Sequence, residues 1–495
     1  MWRSIATECV VISIQASFRK KRRFLFVKKG AILRRCNVTQ EPVIVTNTNG
    51  IRTRKLNLVT AIKNAGVVGA GGAGFPTHVK LAGRAEWALG NGAECEPLMH
   101  KDREVMTHYA ADVLQGLELV REATKAVQAA IGIKKKNLTG LAALTTLAKA
   151  RKVQVAAFGN YYPAGDEYEL VYGITGKLIP PGGIPPHVGA VVQNVETLLN
   201  IARARQGIPV TEKFLTIAGC VQQPCSLRVP VGTRLGDLLQ LAGGVTARQY
   251  RIVVGGLMMG ALAVGEDQPV TKTTGGIIVL PEEHQVIQRL ALPVQAMHRI
   301  GRSACDQCSY CTELCPRYLL GYDIQPHKVM RSLVFSSAGF DLWNQYGQLC
   351  CSCGLCTLYA CPEMLFPREA CNQAQQALQA TGYQWKGQPP SVHPMNDARR
   401  VPTAKLIKRL GVERWDVPAG WRDDVPQPAE VELLLSQHIG APATPSVHVG
   451  EAVAVGDVVA EITGGEADAV GARVHASIKG RVSDITDHSI IIQRN

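Results

Sequence analysis

The residues with the clearest chemistry in this sequence are its cysteines. Of the fifteen cysteines in the chain, ten fall between Cys305 and Cys371. The first run has the spacing of bacterial ferredoxins, C-x2-C-x2-C-x3-C-P, and the second has one extra residue before its last cysteine. This spacing predicts two [4Fe–4S] clusters. The two runs are Cys305, Cys308, Cys311 and Cys315 before Pro316, and Cys350, Cys353, Cys356 and Cys361 before Pro362.

The ligands of the two clusters are predicted to cross between the runs. In two-cluster ferredoxins the fourth cysteine of a run binds the cluster of the other run. Cys351 competes with Cys350, although only Cys350 keeps the two-residue spacing, and Cys371 is interpreted as a buried free thiol. Zinc is the alternative metal, but zinc sites use separated C-x2-C pairs. The predicted sets are Cys305, Cys308, Cys311 and Cys361 for cluster one, and Cys315, Cys350, Cys353 and Cys356 for cluster two.

A second candidate site begins with a glycine-rich segment over residues 69–77. The segment matches G-x-G-x-x-G, but a dinucleotide-binding loop follows a strand, and Asn57 to Ala65 has the pattern of a helix. We therefore reject the standard dinucleotide-binding interpretation. Glycine backbone next to a helix start still forms a nest of amides for an anion, and a lysine one turn later can meet a phosphate. The candidate residues are Gly69, Gly71, Gly72, Gly74, Phe75 and Lys80.

Three further polar segments carry the residue types of a flavin site. Taken singly, each is most often a turn or a helix cap. Together they supply amides, carboxylates and an aromatic ring in short glycine-containing stretches. The candidates are Asn91, Glu94 and Glu96 in the first segment, Tyr162, Gly165, Asp166 and Glu167 in the second, and Asn194 and Thr197 at a helix start in the third.

The chain that must position these candidate residues is 495 residues long, and 46% of its residues are hydrophobic. This length is enough for two to four domains. The formal charge is +14, but residues 1–50 hold ten Lys or Arg and only two Glu. The body is therefore not a strongly basic nucleic-acid binder. The longest apolar run, 252–265, is too short to span a bilayer. With no secretory signal pattern, we expect a cytoplasmic protein whose cysteines are reduced and bind metal.

The local patterns predict six segments. Residues 1–50 form a basic leader, predicted to be disordered. Residues 51–210 alternate helix and strand, with helices over 109–128 and 188–202, a strand over 153–158 and a loop over 173–189. Residues 211–290 have the strand and helix order of a β-grasp. Residues 291–382 hold the cysteines, 383–430 are a connecting segment, and 431–495 form a compact all-β module.

The polar segments, in this order, resemble the flavin- and NADH-binding subunit of respiratory complex I over about residues 60–290. With the cysteine runs added, the chain resembles the RnfC/PduS family, and its domain order, glycine loop first and β module last, resembles the PduS-type cobalamin reductases. The implied architecture is an α/β flavoprotein domain, a β-grasp soluble-ligand-binding module, an α-helical two-[4Fe–4S] ferredoxin-like domain and a barrel-sandwich module.

The resemblance also implies cofactors and partners. It implies FMN bound by the candidate residues above, NADH as electron donor, and a corrinoid, cobalamin, as the acceptor. A corrinoid adenosyltransferase and the shell or cargo proteins of a bacterial microcompartment would be the protein partners, with no nucleic acid and no integral membrane segment. Two departures from the family pattern are Asp166, where the complex I subunit has Glu, and Leu257, where relatives have Pro.

Two alternatives stay open. One is an RnfC-like NADH-oxidising subunit of a membrane ion-translocating complex, and the other is a non-catalytic electron conduit or scaffold. The C-terminal module also resembles lipoyl and biotinyl carriers, but residues 461–470 contain no lysine, so we expect a structural or docking domain. His327 is interpreted as a loop histidine near a cluster rather than a cobalt ligand.

Overall fold

The computed structural model describes residues 27–28, 31–32, 44–46, 52–54, 57–333, 344–385, 387–462 and 470–495. The chain divides into two compact units, Met1–Leu56 and Asn57–Asn495. The prediction of a disordered leader falls outside the described residues, apart from two short antiparallel pairs of strands. These pairs are β1 (Val27–Lys28) with β2 (Ala31–Ile32), and β3 (Ile44–Thr46) with β4 (Arg52–Arg54).

The second unit begins with a wholly parallel, four-stranded sheet. Three of its four strands are buried almost throughout, because helices cover the sheet. Across the sheet the strands are β7 (Gln154–Phe158), β6 (Gln128–Lys134), β5 (Trp87–Gly92) and β9 (Ala190–Asn194). The helices of this domain are α1 (Leu58–Asn64), α2 (Thr77–Lys80), α3 (Lys101–His108), α4 (Ala110–Thr124), α5 (Lys135–Leu138), α6 (Ala142–Ala150), α7 (Glu167–Thr175) and α8 (Val195–Arg205).

Local predictions in this domain are confirmed at β7 and α1 and wrong at two boundaries. The helix expected over 109–128 ends at Thr124, and β6 starts at Gln128. The helix expected over 188–202 is strand β9 up to Asn194, followed by α8. A short apolar run such as Ala190–Val192 is compatible with either a buried strand or a helix, so its periodicity could not distinguish them. The first three residues of the loop expected over 173–189 instead form the end of α7.

The β-grasp module is a six-stranded sheet, in which β10 pairs with β14 and β11 with β16 in parallel, and the other pairs are antiparallel. Across the sheet the strands are β13 (Ala261–Leu262), β12 (Tyr250–Val254), β14 (Gly276–Pro281), β10 (Glu212–Gly219), β11 (Cys225–Pro230) and β16 (Trp421–Arg422). Helix α9 (Leu235–Leu241) packs its leucines on this sheet. The predicted strand-and-helix order is confirmed.

The cysteine domain is helical. Cys371 lies in its core beside Met330 and Leu333, fully buried and in no disulfide. A π-helical turn, Cys356–Ala360, carries part of the second run. The helices are α10 (Gln285–Ala291), α11 (Val294–Ala304), α12 (Tyr310–Glu313), α13 (Pro316–Leu319), α14 (Pro326–Ser332) and α15 (Pro367–Ala380).

The segment over 383–430, expected to be a connection, takes part in two domains. Its strand β15 (Val401–Pro402) pairs with β8 (Tyr161–Tyr162) of the flavin domain, and helix α16 (Thr403–Leu410) follows. Its strand β16 is the edge of the β-grasp sheet. These pairings attach the segment to the flavin domain and to the β-grasp module.

The C-terminal module consists of two antiparallel sheets that enclose one apolar core. Buried Lys272 of the β-grasp module joins it to the flavin domain by donating to the carbonyl oxygens of Gly66 (2.9 Å) and Arg473 (2.6 Å). In the described residues, no helix is both long enough and apolar enough to cross a membrane. The first sheet has the strand order β17 (Glu430–Leu434), β23 (Ser489–Arg494), β22 (Gly480–Ile485) and β19 (Ala452–Val453). The second has the order β18 (Thr444–Pro445), β20 (Val458–Glu461) and β21 (Val474–His475).

Candidate functional site

A cleft of about 490 Å³ opens at the carboxyl ends of β5 and β9. Ligands of open α/β sheets bind at this edge, because the loops after parallel strands meet there. Fourteen of the fifteen predicted flavin-site residues line the cleft. The exception is Gly74, where an added Cβ would lie 2.9 Å from Thr273 and 3.3 Å from the backbone of His438. The lining residues are Gly69, Gly71, Gly72, Phe75, Lys80, Asn91, Glu94, Glu96, Tyr162, Gly165, Asp166, Glu167, Asn194 and Thr197.

The glycine loop forms one wall of the cleft with its backbone. The Thr197 hydroxyl accepts a bond from the Ala70 amide (2.9 Å), and this contact holds the loop against α8. Gly72 has φ +109°, and a Cβ there would meet nothing within 4 Å. Among the described residues, no acceptor is bonded to the amides of Gly71 or Ala73. Free amides on a loop open to the cleft suit the phosphate of FMN.

Two asparagines brace the floor of the cleft. Asn91 donates to the Gly165 carbonyl (2.8 Å) and accepts from the Ala93 amide (3.2 Å). Asn194 caps α8 by accepting from the Glu196 amide (2.9 Å). The capping interaction explains why a strand can end and a helix start at one residue. Both residues are thus positioned by local turns, as their sequence contexts predict.

A buried acidic pair lies beside the asparagines. The Asp102 amide donates to the Glu94 carboxylate (3.2 Å), and one Asp102 oxygen accepts from the Asn194 side chain (2.8 Å). Burial, followed by the charge of Asp102, raises the pKa of Glu94 to about 8. This shift favours the neutral form of the Glu94 carboxyl. Asp102, which lines the cleft, was missed by the sequence analysis because it lies on α3, outside every motif.

A buried ion network supports the glycine loop from behind. Glu196 accepts from Lys101 (2.8 Å) and from Lys213 (2.7 Å), and Lys213 also donates to the Ala70 carbonyl (3.2 Å). Burial lowers the pKa of Lys213 to about 8. Burial alone would raise the pKa of Glu196, but the two lysines outweigh it and hold that pKa below its usual value. Glu196 lies between the predicted site residues Asn194 and Thr197, yet only the fold shows that its side chain faces two lysines.

Glu96 ties the cleft to the β-grasp module. Its carboxylate accepts from the amides of Met258 and Met259, each at 3.0 Å. Burial raises the pKa of Glu96 to about 7, against the lowering effect of these amides. Gly256 has φ +147° and an added Cβ would lie 2.6 Å from Glu96. The unusual Leu257 is fully buried in this loop.

Charged residues of the second polar segment face the cysteine domain. Asp166 caps α7 by accepting from the Tyr168 amide (3.0 Å) and pairs with Arg317 at 2.9 Å. The Arg317 guanidinium also stacks over the Tyr168 ring, 3.4 Å from its centre. Lys80, predicted to meet a phosphate, forms an ion pair with Glu167 at 2.9 Å. Arg317 lines the cleft and was missed because it lies between the two cysteine runs.

The second cysteine run forms part of the cleft wall. Cys351 and Cys353 both line the cleft, and the Tyr162 hydroxyl donates to the Cys353 carbonyl at 2.6 Å. Cys350 does not line the cleft, and its sulfur accepts from the Ser352 amide (3.3 Å). The structure therefore brings Cys353, a predicted ligand of cluster two, next to the predicted flavin site, together with Cys351, which is outside both predicted ligand sets.

The four predicted ligands of cluster one face a separate cavity. Cys305, Cys308 and Cys311 from the first run meet Cys361 from the second run in its lining. His327, also in the lining, is hydrogen-bonded to the Thr312 hydroxyl (2.7 Å). In the described part of the chain, no three His, Cys, Asp or Glu side chains converge as tightly as a single metal ion requires. A cubane has its irons at separate corners, so four spaced thiols around one cavity fit it.

Comparison with known families matches four segments. Residues 62–203 match the Nuo51 FMN-binding domain, 214–262 the SLBB domain, 304–366 a 4Fe-4S dicluster domain, and 423–495 the RnfC barrel sandwich hybrid domain. These matches confirm the predicted fold class for all four parts. The chain therefore contains an FMN-binding domain and a 4Fe-4S dicluster domain.

The most informative relative is the cobalamin reductase PduS of Salmonella typhimurium. It is 40% identical over 434 residues, which cover 88% of this chain and 95% of the relative. The chain belongs to the PduS family. The predicted resemblance is thereby confirmed.

Two more distant matches share parts of this chain. One subunit of the proton-translocating ferredoxin:NAD(+) oxidoreductase complex from Clostridium ljungdahlii is 33% identical over 282 residues, 56% of this chain and 59% of that one. The NAD+-reducing [NiFe]-hydrogenase in its H2-reduced state gives a TM-score of 0.44 at 22% identity and covers 68% of this chain and 69% of that one. The PduS match covers 88% of this chain, more than either of these two.

Proposed function

We propose that this chain is an NADH-dependent cobalamin reductase. It would pass electrons through FMN and two [4Fe–4S] clusters to a corrinoid, reducing cob(III)alamin or cob(II)alamin for the recycling of coenzyme B12 during propanediol utilisation. The observation that carries the proposal is the wall shared by the cleft and the second cysteine run at Cys351 and Cys353. The name of the Salmonella relative, cobalamin reductase, supports the choice of acceptor.

The residues of the cleft fit the flavin that the family implies. The amides of Gly71, Gly72 and Ala73 would bind its phosphate, and the network behind them at Glu196 keeps the loop in place. Bound FMN supplies hydride acceptance and the release of single electrons. The raised pKa of Glu94 favours its neutral form, which would reduce the negative charge facing the flavin. Glu167 and Lys80 neutralise each other where the cleft meets solvent.

The two cluster sites would accept electrons one at a time. Cys311 and Cys356 lie in short helical turns, and the other six predicted ligands lie in loops or at helix ends. Their proposed role is ligation alone, with no proton transfer required. Tyr162 holds the backbone of Cys353 against the cleft. Arg317 and Asp166 hold the same interface with a buried ion pair. These contacts keep the distance from cleft to second run short and fixed.

The setting of this activity is also a proposal. Within the same function, the chain would act in the cytoplasm, inside a bacterial microcompartment, next to a corrinoid adenosyltransferase and to shell or cargo proteins. The match to the Clostridium protein, part of a proton-translocating complex, keeps a membrane-bound role as the competing function. Fractionation decides between them: retention in membranes after a high-salt wash contradicts the microcompartment role.

The central test is an anaerobic analysis of the purified holoprotein. We expect one FMN and about eight iron atoms per chain, since each [4Fe–4S] cluster holds four. NADH should bleach the flavin and cluster absorbance, and aquocobalamin should restore it. Protein without flavin would indicate a conduit or scaffold, and zinc in place of iron would contradict both clusters. If NADH bleaches the absorbance but aquocobalamin does not restore it, the protein is an NADH oxidoreductase whose electron acceptor is not cobalamin.

A further inference from the structure

A second concave surface lies away from the flavin cleft. This groove, of about 630 Å³, runs between the two cysteine runs and α16. Its lining includes Tyr310, Leu314, Tyr359, Lys405 and Lys408, none of which lines the flavin cleft. Nothing in the proposed path from NADH to the clusters uses these residues.

The groove adjoins the predicted ligands of cluster one. Tyr310 directly precedes Cys311 in the chain, and Tyr359 is two residues before Cys361. Arg409, which also lines the groove, donates to the Cys361 carbonyl at 3.2 Å. A molecule seated in the groove therefore lies beside two ligands of cluster one, whereas the flavin cleft touches the second run. The groove is placed where electrons would leave the protein.

The groove carries uncompensated positive charge. Lys405 and Lys408 are exposed on α16, one helical turn apart. Across the described residues, neither lysine has an acidic partner within ion-pair distance. Glu313, the one acidic residue of the lining, is paired with Arg399 at 3.3 Å. The groove therefore attracts a ligand with a negative group near α16.

The remaining lining is aromatic and aliphatic. Tyr310 is 51% exposed, although it is a large ring at the surface of a helical domain. Leu314 and Tyr359 are partly buried beside it. Exposed aromatic rings in a concave surface favour a flat ligand with apolar faces, since such rings bury area at low entropic cost.

We infer that this groove is the docking site of the corrinoid that receives electrons from cluster one. The inference rests on the proposed function. A cobalamin combines a flat corrin ring, which suits Tyr310 and Tyr359, with a nucleotide loop whose phosphodiester carries one negative charge, which suits Lys405 and Lys408. One NADH and two aquocob(III)alamins give NAD+, a proton, two cob(II)alamins and two waters. Each cobalt takes one electron and loses its upper water.

The test reverses the charge of the groove in the full-length holoprotein. We compare K405E/K408E with a matched control, K149E/K479E, which changes two other exposed lysines on α6 and before β22. In anaerobic stopped-flow measurements, NADH should bleach all three proteins at the same rate. The KM for aquocobalamin should rise about tenfold in K405E/K408E only, because two attractive contacts become repulsive.

Cobinamide, a corrinoid without the nucleotide-loop phosphodiester, provides the second readout. The KM for cobinamide should change less than about twofold in K405E/K408E, because cobinamide has no phosphodiester for these lysines to contact and exposed charges otherwise act weakly. An unchanged KM for aquocobalamin, or an equal loss with cobinamide, overturns the assignment. Slower reoxidation by an acidic redox protein, with cobalamin kinetics unchanged, would assign the groove to a protein partner and also overturn it. Wild-type protein that aquocobalamin fails to reoxidise would instead overturn the proposed function, and this site with it.

Discussion

The two cysteine runs differ by one residue in spacing but lie in very different surroundings. The second run forms part of the flavin cleft through Cys351 and Cys353, and the adjoining Arg317–Asp166 pair is buried. Three cysteines of the first run share a separate cavity with Cys361, and both runs border an open, basic groove. Spacing therefore predicts which metal centre is built, whereas the neighbours of each run support our proposal for its electron partner. The predictions below test this difference.

The largest effect is expected from the crossed fourth ligands. Cys361→Ser should remove cluster one, and Cys315→Ser should remove cluster two, so each variant keeps about four iron atoms. Because the second run adjoins the cleft, NADH should still reduce the remaining cluster in Cys361→Ser but reduce it poorly in Cys315→Ser. Iron analysis and electron paramagnetic resonance after NADH addition measure both.

Cys371→Ser is the matched control, since Cys371 is a buried thiol outside both predicted ligand sets. It should keep both clusters. If each change of a fourth cysteine removes the cluster of its own run instead, the crossed assignment is wrong, and so is the direction of electron flow drawn from it.

The second prediction separates the cleft from the clusters. Gly72→Val places a branched side chain in the cleft at φ +109°, so we expect loss of most of the FMN with full iron content. Gly207→Val is the control, because Gly207 also has positive φ (+83°) and open space around its Cβ but does not line the cleft. Flavin and iron are measured on the same anaerobic sample. Equal flavin loss in both variants would attribute the effect to strain alone.

The third prediction compares one arginine beside each run. Arg317→Met leaves Asp166 without its partner in a buried setting, where the side chains are 9% and 17% exposed, and should cost about 3 kcal/mol. Arg399→Met breaks a pair with Glu313 that is 29% and 39% exposed, and should cost less than about 1 kcal/mol. Denaturant unfolding under anaerobic conditions measures both. Similar losses would contradict the difference between the two surroundings.

The smallest effect is a pH dependence at Glu96, which joins the cleft to the β-grasp loop that contains Met258 and Met259. Burial raises its pKa from 4.5 to about 7, so the native state retains a proton that the unfolded chain releases. Glu96 therefore contributes stability that is present below pH 4.5 and is lost as the pH rises through 7. The stability of Glu96→Gln relative to wild type should accordingly rise between pH 5.5 and 8, by about 2 kcal/mol.

Thermal unfolding of both proteins across this pH range measures the effect, and cluster loss at low pH cancels because both carry the same clusters. A difference that stays constant with pH would show that Glu96 is already ionised at pH 5.5. The bonds to Met258 and Met259 would then outweigh burial.

Most of the candidate cleft was predictable because its residues sit in short motifs. Asn194 and Asp166 are helix caps, and Gly72 has a positive φ. Each residue type is favoured at such a position, so the local sequence indicates its role. The missed residues, Lys101, Asp102 and Lys213, are ordinary helix or strand positions by sequence. Their importance comes from being buried against Glu196 and Asn194, which only the packed sheet arranges.

By itself, the sequence determined the metal chemistry and the order of the domains, because cysteine spacing and strand or helix periods are properties of short segments. Tertiary structure decided which run meets the flavin cleft, and it decided that residues 383–430 add strands to two other domains. It also placed Tyr310 and Tyr359 in one groove with Lys405. Such contacts join residues far apart in the chain, and no local pattern encodes them, because they depend on how complete domains pack together.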